Sequence, residues 1–427
     1  MFVLYTLALI GAGFAALPNL LWRCLHGATY LQDFSERFGV HPSEPARLDG
    51  CLWFHAASVG EVQGLHPIIA ALHDRFPSRP VVLSTFTPSG KAMAQALVPQ
   101  AGRIFLLPFD LPWIVAKIVR RLRPSALIVQ ETELWPNLFR CLGQLQVPIV
   151  LVNGRISSRS LGRYALIRPF TRQVLGNVSL VLAQSDSSAQ RFQCLGVPAG
   201  KIRTVGNTNI DRALEQAQSV PPHPMAPSLA GRRVLVAGST HEGEEAILVS
   251  VLRRLREQFP DLCLILAPRH LERVESIVRQ VRATGLSVLQ RSQYSGENEV
   301  RPDVIVLDTL GELVSLYKLC TVAFVGGSLV PVGGHNILEP VMFGKPLLFG
   351  PHMHHFPELA QLLSNAAGAI QVRNEVELLA QAAHLLTNPS KGDDMGRRGR
   401  DALDRNSGAL QRTYKELAAV LGCPPAG

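Results

Sequence analysis
From residue 51 onward, short β-rich apolar runs alternate with longer stretches whose apolar residues recur at helical spacing. The runs 51–55, 81–85, 103–106, 126–130, 149–152 and 180–183 predict strands, and the amphipathic stretches between them predict helices. A strand–helix–strand rhythm implies parallel βαβ units covered by helices on both faces, rather than a sandwich or a bundle. The rhythm stops at 215–230, where Pro221, Pro222, Pro224 and Pro227 punctuate the chain, and resumes with strands predicted at 233–237, 262–267, 304–307, 322–325 and 346–348. The pattern therefore predicts an α/β protein of two doubly wound, Rossmann-like domains, 23–214 and 231–400, joined by a linker at 215–230. An interdomain cleft is expected at the carboxyl ends of their strands. The tail is helical, and its last helix, within 401–427, is expected to pack back on the first domain.

The N-terminus changes this picture. Residues 2–22 carry no charge and have about the length needed to span a bilayer, so 1–22 reads as a membrane anchor, with a buried or interfacial helix as the alternative. The basic start and small-residue cleavage site of a signal peptide are both missing, and Arg23, Arg37 and Arg47 place the following domains on the cytoplasmic side. At 427 residues, 47% hydrophobic and 18% charged, the chain is too long for one ordinary core and too apolar for disorder. An excess of 42 Lys and Arg over 33 Asp and Glu points to anionic surroundings such as phosphorylated lipid or a membrane face. Nucleic acid is not expected as a partner, because the basic residues are scattered and no zinc-finger, helix-turn-helix or RNA-binding signature appears. Seven cysteines without a C-x-x-C pair indicate neither a disulfide framework nor a zinc site, and fit a reducing cytosol.

Candidate chemistry gathers at the predicted strand ends. HAASVGE (55–61) follows the first strand, and its small residues permit a tight turn. Glu61 opens the next helix. A helix dipole ordinarily stabilises such a carboxylate and lowers its basicity, whereas the carboxyl end of a strand places it where a base reaches a substrate. QETELWPN (130–137) follows another strand. Its Glu131, nearest the strand end, is the candidate for holding a partner of Glu61 or raising its pKa by like-charge proximity, while Glu133 also reads as dipole-complementing charge. In the second half, GSTHEGEE (238–245), PRH (268–270), GGS (326–328) and GGHNILEP (333–340) are four turns of the anion-binding kind on one sheet edge. Arg269 among them offers a bidentate fork to a phosphate or carboxylate. His352, His354 and His355 raise the question of a metal, but no Cys or carboxylate stands at ligand spacing and a polar loop is preferred. P-loop, G-x-G-x-x-G and G-x-S-x-G patterns are missing.

In this order, HAASVGE (55–61), ETELWPN (131–137), STHEGEE (239–245), PRH (268–270) and GGSLVPVGGHNILE (326–339) resemble the motifs of the 3-deoxy-D-manno-octulosonic acid (Kdo) transferases of lipopolysaccharide assembly. The resemblance extends over nearly the whole chain. It implies a GT-B glycosyltransferase, without metal or cofactor, that moves Kdo with inversion from CMP-Kdo to a lipid A precursor (lipid IVA) at the cytoplasmic face of the bacterial inner membrane. Carried over position by position, it implies Glu61 as proton acceptor and Glu131 as transition-state stabiliser. Pro268, Arg269, Leu310, Gly311, Glu312, Asn336, Ile337, Leu338 and Glu339 would hold CMP. The first domain would then bind the acceptor and the second the nucleotide. One position departs from the family: Asn209 stands where a lysine usually steadies negative charge near the departing phosphate. Asparagine donates a hydrogen bond but no charge, so Arg203 or Arg212 is expected to compensate in part.

Rival readings are a GT-B transferase that uses a UDP-sugar on a membrane lipid, an exported two-lobed binding protein, and a nucleic-acid binder. The missing cleavable signal speaks against the second.

Overall fold
Each strand predicted from an apolar run is present in the computed structural model, which describes residues 1–26, 35–39, 48–294 and 301–422, with 16–26 and 158 as backbone alone. The chain divides into two units, residues 1–211 with 407–427, and residues 212–406.

The first unit carries a parallel sheet of seven strands among the described residues: β1 (Leu52–Ala56), β2 (Val81–Thr85), β3 (Ala101–Leu106), β4 (Ala126–Gln130), β5 (Ile149–Gly154), β6 (Leu180–Ala183) and β7 (Ile202–Thr204). Their order is β3-β2-β1-β4-β5-β6-β7. β1, β2 and β4 are buried along their whole length, as strands covered by helices on both faces must be. The chain order reverses between β1 and β4, which pair directly. The crevice beyond their carboxyl ends is therefore the position where open α/β sheets bind ligands.

The second unit repeats the plan with β8 (Val234–Thr240), β9 (Cys263–Pro268), β10 (Val288–Gln290), β11 (Val304–Val306), β12 (Val322–Val325), β13 (Leu347–Phe349) and β14 (Ala369–Gln371), in the order β10-β11-β9-β8-β12-β13-β14. Here the switch falls between β8 and β12, again direct neighbours. This two-domain α/β architecture is of the GT-B type. The strands that the apolar pattern does not predict, β7, β10 and β14, are three residues long, end their sheets and are partly exposed, so they leave no continuous apolar run.

Within the proline-rich segment, helix Thr208–Ser219 runs past the expected start of the linker, and a short helix, Ala226–Leu229, follows the prolines. The last helix, Ala409–Val420, belongs to the first unit: Leu417 and Leu421 join its core beside Val62 and Leu65.

An N-terminal helix spans Phe2–His26. Its first turns rest on the first unit, with the Phe2 ring edge-on to Phe170 at 5.3 Å, Arg140 over Phe2 at 4.7 Å, and Thr6 Oγ1 accepting from Asn137 Nδ2 at 3.2 Å. Val3, Leu4, Leu7 and Phe14 stay exposed. Among the described residues no helix is long and apolar enough to cross a membrane. The side chain of Arg23 and all of Arg47 lie outside the described residues. Arg37 is drawn into the first unit, where its guanidinium donates to the Phe86 carbonyl at 2.5 Å and lies over the Phe86 ring.

Candidate active site
Two features fix Glu61. Ser58 precedes helix Val59–Arg75 in extended conformation, and Glu61 stands in the first turn, just beyond the end of β1. Its carboxylate folds back over that turn, accepting from the Ala57 N–H at 2.8 Å and from Ser58 Oγ at 3.2 Å. Those donors favour the charged form. Burial opposes them most strongly, followed by the charge of Glu131, and Glu133 adds to it. The carboxyl is pushed up to about 7. A first-turn glutamate governed by the helix dipole alone would be more acidic than usual, so desolvation and like charge outweigh the dipole here.

Glu131 follows β4 directly, with φ +58, in the left-handed region that non-glycine residues seldom adopt. Its carboxylate is held by Arg155 Nε at 2.7 Å, and Thr132 Oγ1 and the Arg155 backbone exchange hydrogen bonds around it. Glu133 is also raised, by burial and then by Glu131. Three carboxylates thus meet beyond β1 and β4, with one of them paired to a cation. Arg155, just past β5, is not singled out by the sequence pattern; its signal is a basic residue at the end of the strand next to β4.

Asn209 reaches the same helix as Glu61. A Cβ at Gly64, one turn beyond Glu61, would lie 3.5 Å from Asn209 Oδ1 and 2.9 Å from Gln130 Nε2. Glycine at this position therefore admits both amides. The Asn209 backbone N–H donates to Asn207 Oδ1 at 3.0 Å. Arg203 is committed elsewhere, donating to the carbonyls of Gly200 and Ile202. Arg212 is lowered by burial and supported by the opposite charge of Glu339.

In the second unit one predicted phosphate turn is already filled. The buried carboxylate of Glu244 accepts from the backbone N–H groups of His241, Gly327, Ser328 and Leu329 at 2.7–3.0 Å. The turns after β8 and β12 are thus tied together by an internal anion, and 326–328 is not a free cradle for a phosphate. Glu245, also buried, accepts both Arg273 nitrogens and Thr240 Oγ1.

The remaining candidates lie around these turns. Pro268 ends β9, and the exposed Arg269 donates its backbone N–H to the Thr240 carbonyl at 3.0 Å. Leu310 is exposed and Gly311 has φ +85, a turn that suits glycine. Glu312 accepts from Thr309 Oγ1 and from Arg291 at 2.9 Å. Burial would raise its pKa, but the Thr309 hydroxyl, Arg291 and His223 together hold it below the usual range. Asn336 caps the following turn, accepting from the Leu338 N–H at 3.1 Å and donating to Glu339 Oε1 at 3.1 Å. Burial pushes Glu339 up to about 7 against Asn336 and Arg212. The side chains of Ile337 and Leu338 are buried in the core, and the Leu338 backbone is engaged as well, its N–H by Asn336 and its carbonyl by the Met342 N–H at 2.8 Å. His241 and His335 meet nitrogen to nitrogen at 2.8 Å, a contact the motifs do not announce. Among the described residues no group of three or more His, Cys, Asp or Glu side chains is arranged to hold a metal ion.

The family model described as 3-deoxy-D-manno-octulosonic-acid transferase (kdotransferase) matches residues 32–212. A 3-deoxy-D-manno-octulosonic acid transferase of Haemophilus influenzae is 33% identical over 401 residues, covering 92% of this chain and 92% of that protein. The transferase of the same name from Bordetella pertussis is 33% identical over 98% of this chain and 99% of its own length. Among solved structures, a UDP-N-acetylglucosamine 2-epimerase aligns over 89% of this chain and 99% of its own with a TM-score of 0.62 at 13% identity, a likeness of fold alone.

Proposed function
The chain belongs to the 3-deoxy-D-manno-octulosonic acid transferases, and from that premise we propose that Glu61 is the general base of Kdo transfer from CMP-Kdo to a lipid A precursor. The observation that carries this reading is the buried Glu61 carboxyl beside Glu131 at the switch point of the first sheet, where burial and that like charge push it up to about 7. A base tuned to the ambient pH is deprotonated often enough to act and basic enough to take a hydroxyl proton.

In the proposed step, the acceptor hydroxyl gives its proton to Glu61 as its oxygen bonds to the anomeric carbon of Kdo. The bond from that carbon to the CMP oxygen breaks, and CMP leaves with the electron pair. CMP is itself a good leaving group, so the protein's work is orientation and charge stabilisation. Glu131, fixed by Arg155, keeps Glu61 basic and lies where positive charge developing on the sugar would be stabilised. Pro268, Arg269, the 310–312 turn and the 336–339 turn hold CMP. Asn209 donates a hydrogen bond near the leaving group, and Arg212 supplies the charge it lacks; its coupling to Glu339 supports this choice over Arg203, whose Nη1 donates to two carbonyls of its own edge. No metal or cofactor takes part in this scheme. The exposed apolar face of the N-terminal helix associates with the cytoplasmic face of the inner membrane, where the lipid acceptor lies.

The test is mass spectrometry of the products formed by the full chain from CMP-Kdo and a lipid A precursor. Wild type is expected to add Kdo, and Glu61→Gln to lose about 10²–10⁴-fold in rate. Near-normal transfer by the variant removes Glu61 as the base.

A further inference from the structure
Beside the proposed nucleotide site, three loops of the second unit bring imidazoles together. His241 follows β8, His270 follows β9, and His335 precedes helix Leu338–Val341. The Nε2 atoms of His241 and His335 are 2.8 Å apart, and their rings are parallel within 6° at a centroid separation of 5.1 Å. That separation with that nitrogen contact is a head-to-head N–H···N hydrogen bond, not a face-to-face stack. The pair rests on Gly327, where a Cβ would come within 3.0 Å of His335 and 3.3 Å of His241. The His270 ring meets His241 edge-on at 5.5 Å.

Charged and titratable groups of both signs face the pair. Arg269, His270 and His355 act on His335, and Arg269 and His270 on His241. Glu244 and Glu245 stand opposite, facing His241, but Glu244 is consumed by four backbone N–H groups and Glu245 by Arg273. Burial comes first in lowering both imidazoles, and His335 falls to about 4, so the empty pair is neutral at pH 7. In a neutral pair one Nε2–H donates to the other Nε2. One outer Nδ1 then carries a hydrogen and the other a lone pair. Neither Nδ1 has a hydrogen-bond partner among the described residues. Adding one proton leaves the central bond intact and makes both outer nitrogens donors. An arriving anion supplies the charge that makes this uptake favourable.

We propose that the His241–His335 pair, with Arg269 beside it, is a receptor for the phosphate of the bound nucleotide and takes up one proton from solvent when that phosphate arrives. The proposal rests on the reading of the second unit as the nucleotide-binding one. The proton, given up by solvent or buffer, forms a new N–H bond at the free Nδ1, and no bond of the nucleotide breaks.

The experiment is calorimetric titration of the full chain with CMP, in two buffers of different ionisation enthalpy at pH 7.5, with cytidine as the phosphate-free probe. Wild type is expected to take up about one proton per CMP and none with cytidine. Its Kd should weaken about tenfold per pH unit above neutrality, as one linked proton requires. His335→Asn and His241→Asn are expected to bind CMP with that uptake lost and a flat pH dependence. Any titration of the nucleotide's own phosphate is common to all three proteins, so the difference isolates the pair. Buffer-independent heat in wild type, a measurement that needs no variant to fold, overturns the proposal, as does undiminished uptake in both variants. Uptake with UMP but no binding of CMP upholds the phosphate receptor and sinks the CMP reading. A folded wild-type chain that binds neither nucleotide sinks both.

Discussion

Glu61 is a contest between opposing effects. Two local donors pull its pKa down; burial and the Glu131 charge push it up, and they prevail. The sign of the resulting pH dependence follows directly. In the proposed role of base Glu61 acts only when deprotonated, so kcat/KM is expected to fall about tenfold per unit as pH drops below about 7. Glu131→Gln removes the second-largest upward influence, and the acidic limb is then expected to move to lower pH, on the order of one unit, together with a lower plateau. A pH–rate profile checks this, and an unmoved limb would show that Glu131 does not set the basicity of Glu61. Both carboxylates are legible in the sequence because each stands within a few residues of a strand end, where chain order alone places it at a sheet edge. Arg155 and the His241–His335 pair are not, since their partners lie 24 and 94 residues away and only the folded sheets bring them together. The sequence also leaves the direction of the Glu61 shift open, because desolvation depends on packing that no local motif records.

At the scale of elements, long strands with both faces buried announce themselves, while β7, β10 and β14 do not, being short edge strands whose side chains are half in water. The glycine turns carry a different lesson. Composition marks them all as anion cradles, yet one is occupied by the protein's own Glu244, which holds the β8 and β12 turns in register. The last helix is fastened in a similar way. Gly408, with φ +84, turns the chain into it, and the Asp211 carboxylate accepts from the Gly408 N–H at 2.5 Å and the Leu410 N–H at 2.7 Å. Arg412 Nε adds a bond to the Val205 carbonyl at 2.7 Å. Asp211→Ala leaves those N–H groups without their acceptor, and a loss of about 1–3 kcal/mol is expected. Denaturant unfolding of the full chain measures it; a change below about 0.5 kcal/mol would mean that Arg412 and the apolar contacts of Leu417 suffice.

For the molecule as a whole, the N-terminal helix has two faces, one docked and one exposed, and the exposed one is proposed to meet the membrane. Phe2 and Thr6 bind it to the first unit, with Phe170, Arg140 and Asn137 as partners, while Val3, Leu4, Leu7 and Phe14 remain exposed. Exposed apolar residues in a row on an otherwise docked helix favour a lipid surface, and the net charge of +9 adds attraction to anionic headgroups. The two faces can be separated by experiment. Leu4→Glu with Leu7→Glu changes the exposed face alone, so it is expected to release the protein from anionic vesicles in a sedimentation assay while shifting stability by less than about 0.5 kcal/mol. Deleting residues 1–22 removes the docked face as well. It is expected to release the protein and also to destabilise the first unit by about 1–3 kcal/mol, because Phe170 loses its ring partners Phe2 and Tyr5 and Asn137 Nδ2 loses one of its two acceptors. If the double glutamate variant still sediments with vesicles, this face is not a lipid-binding surface.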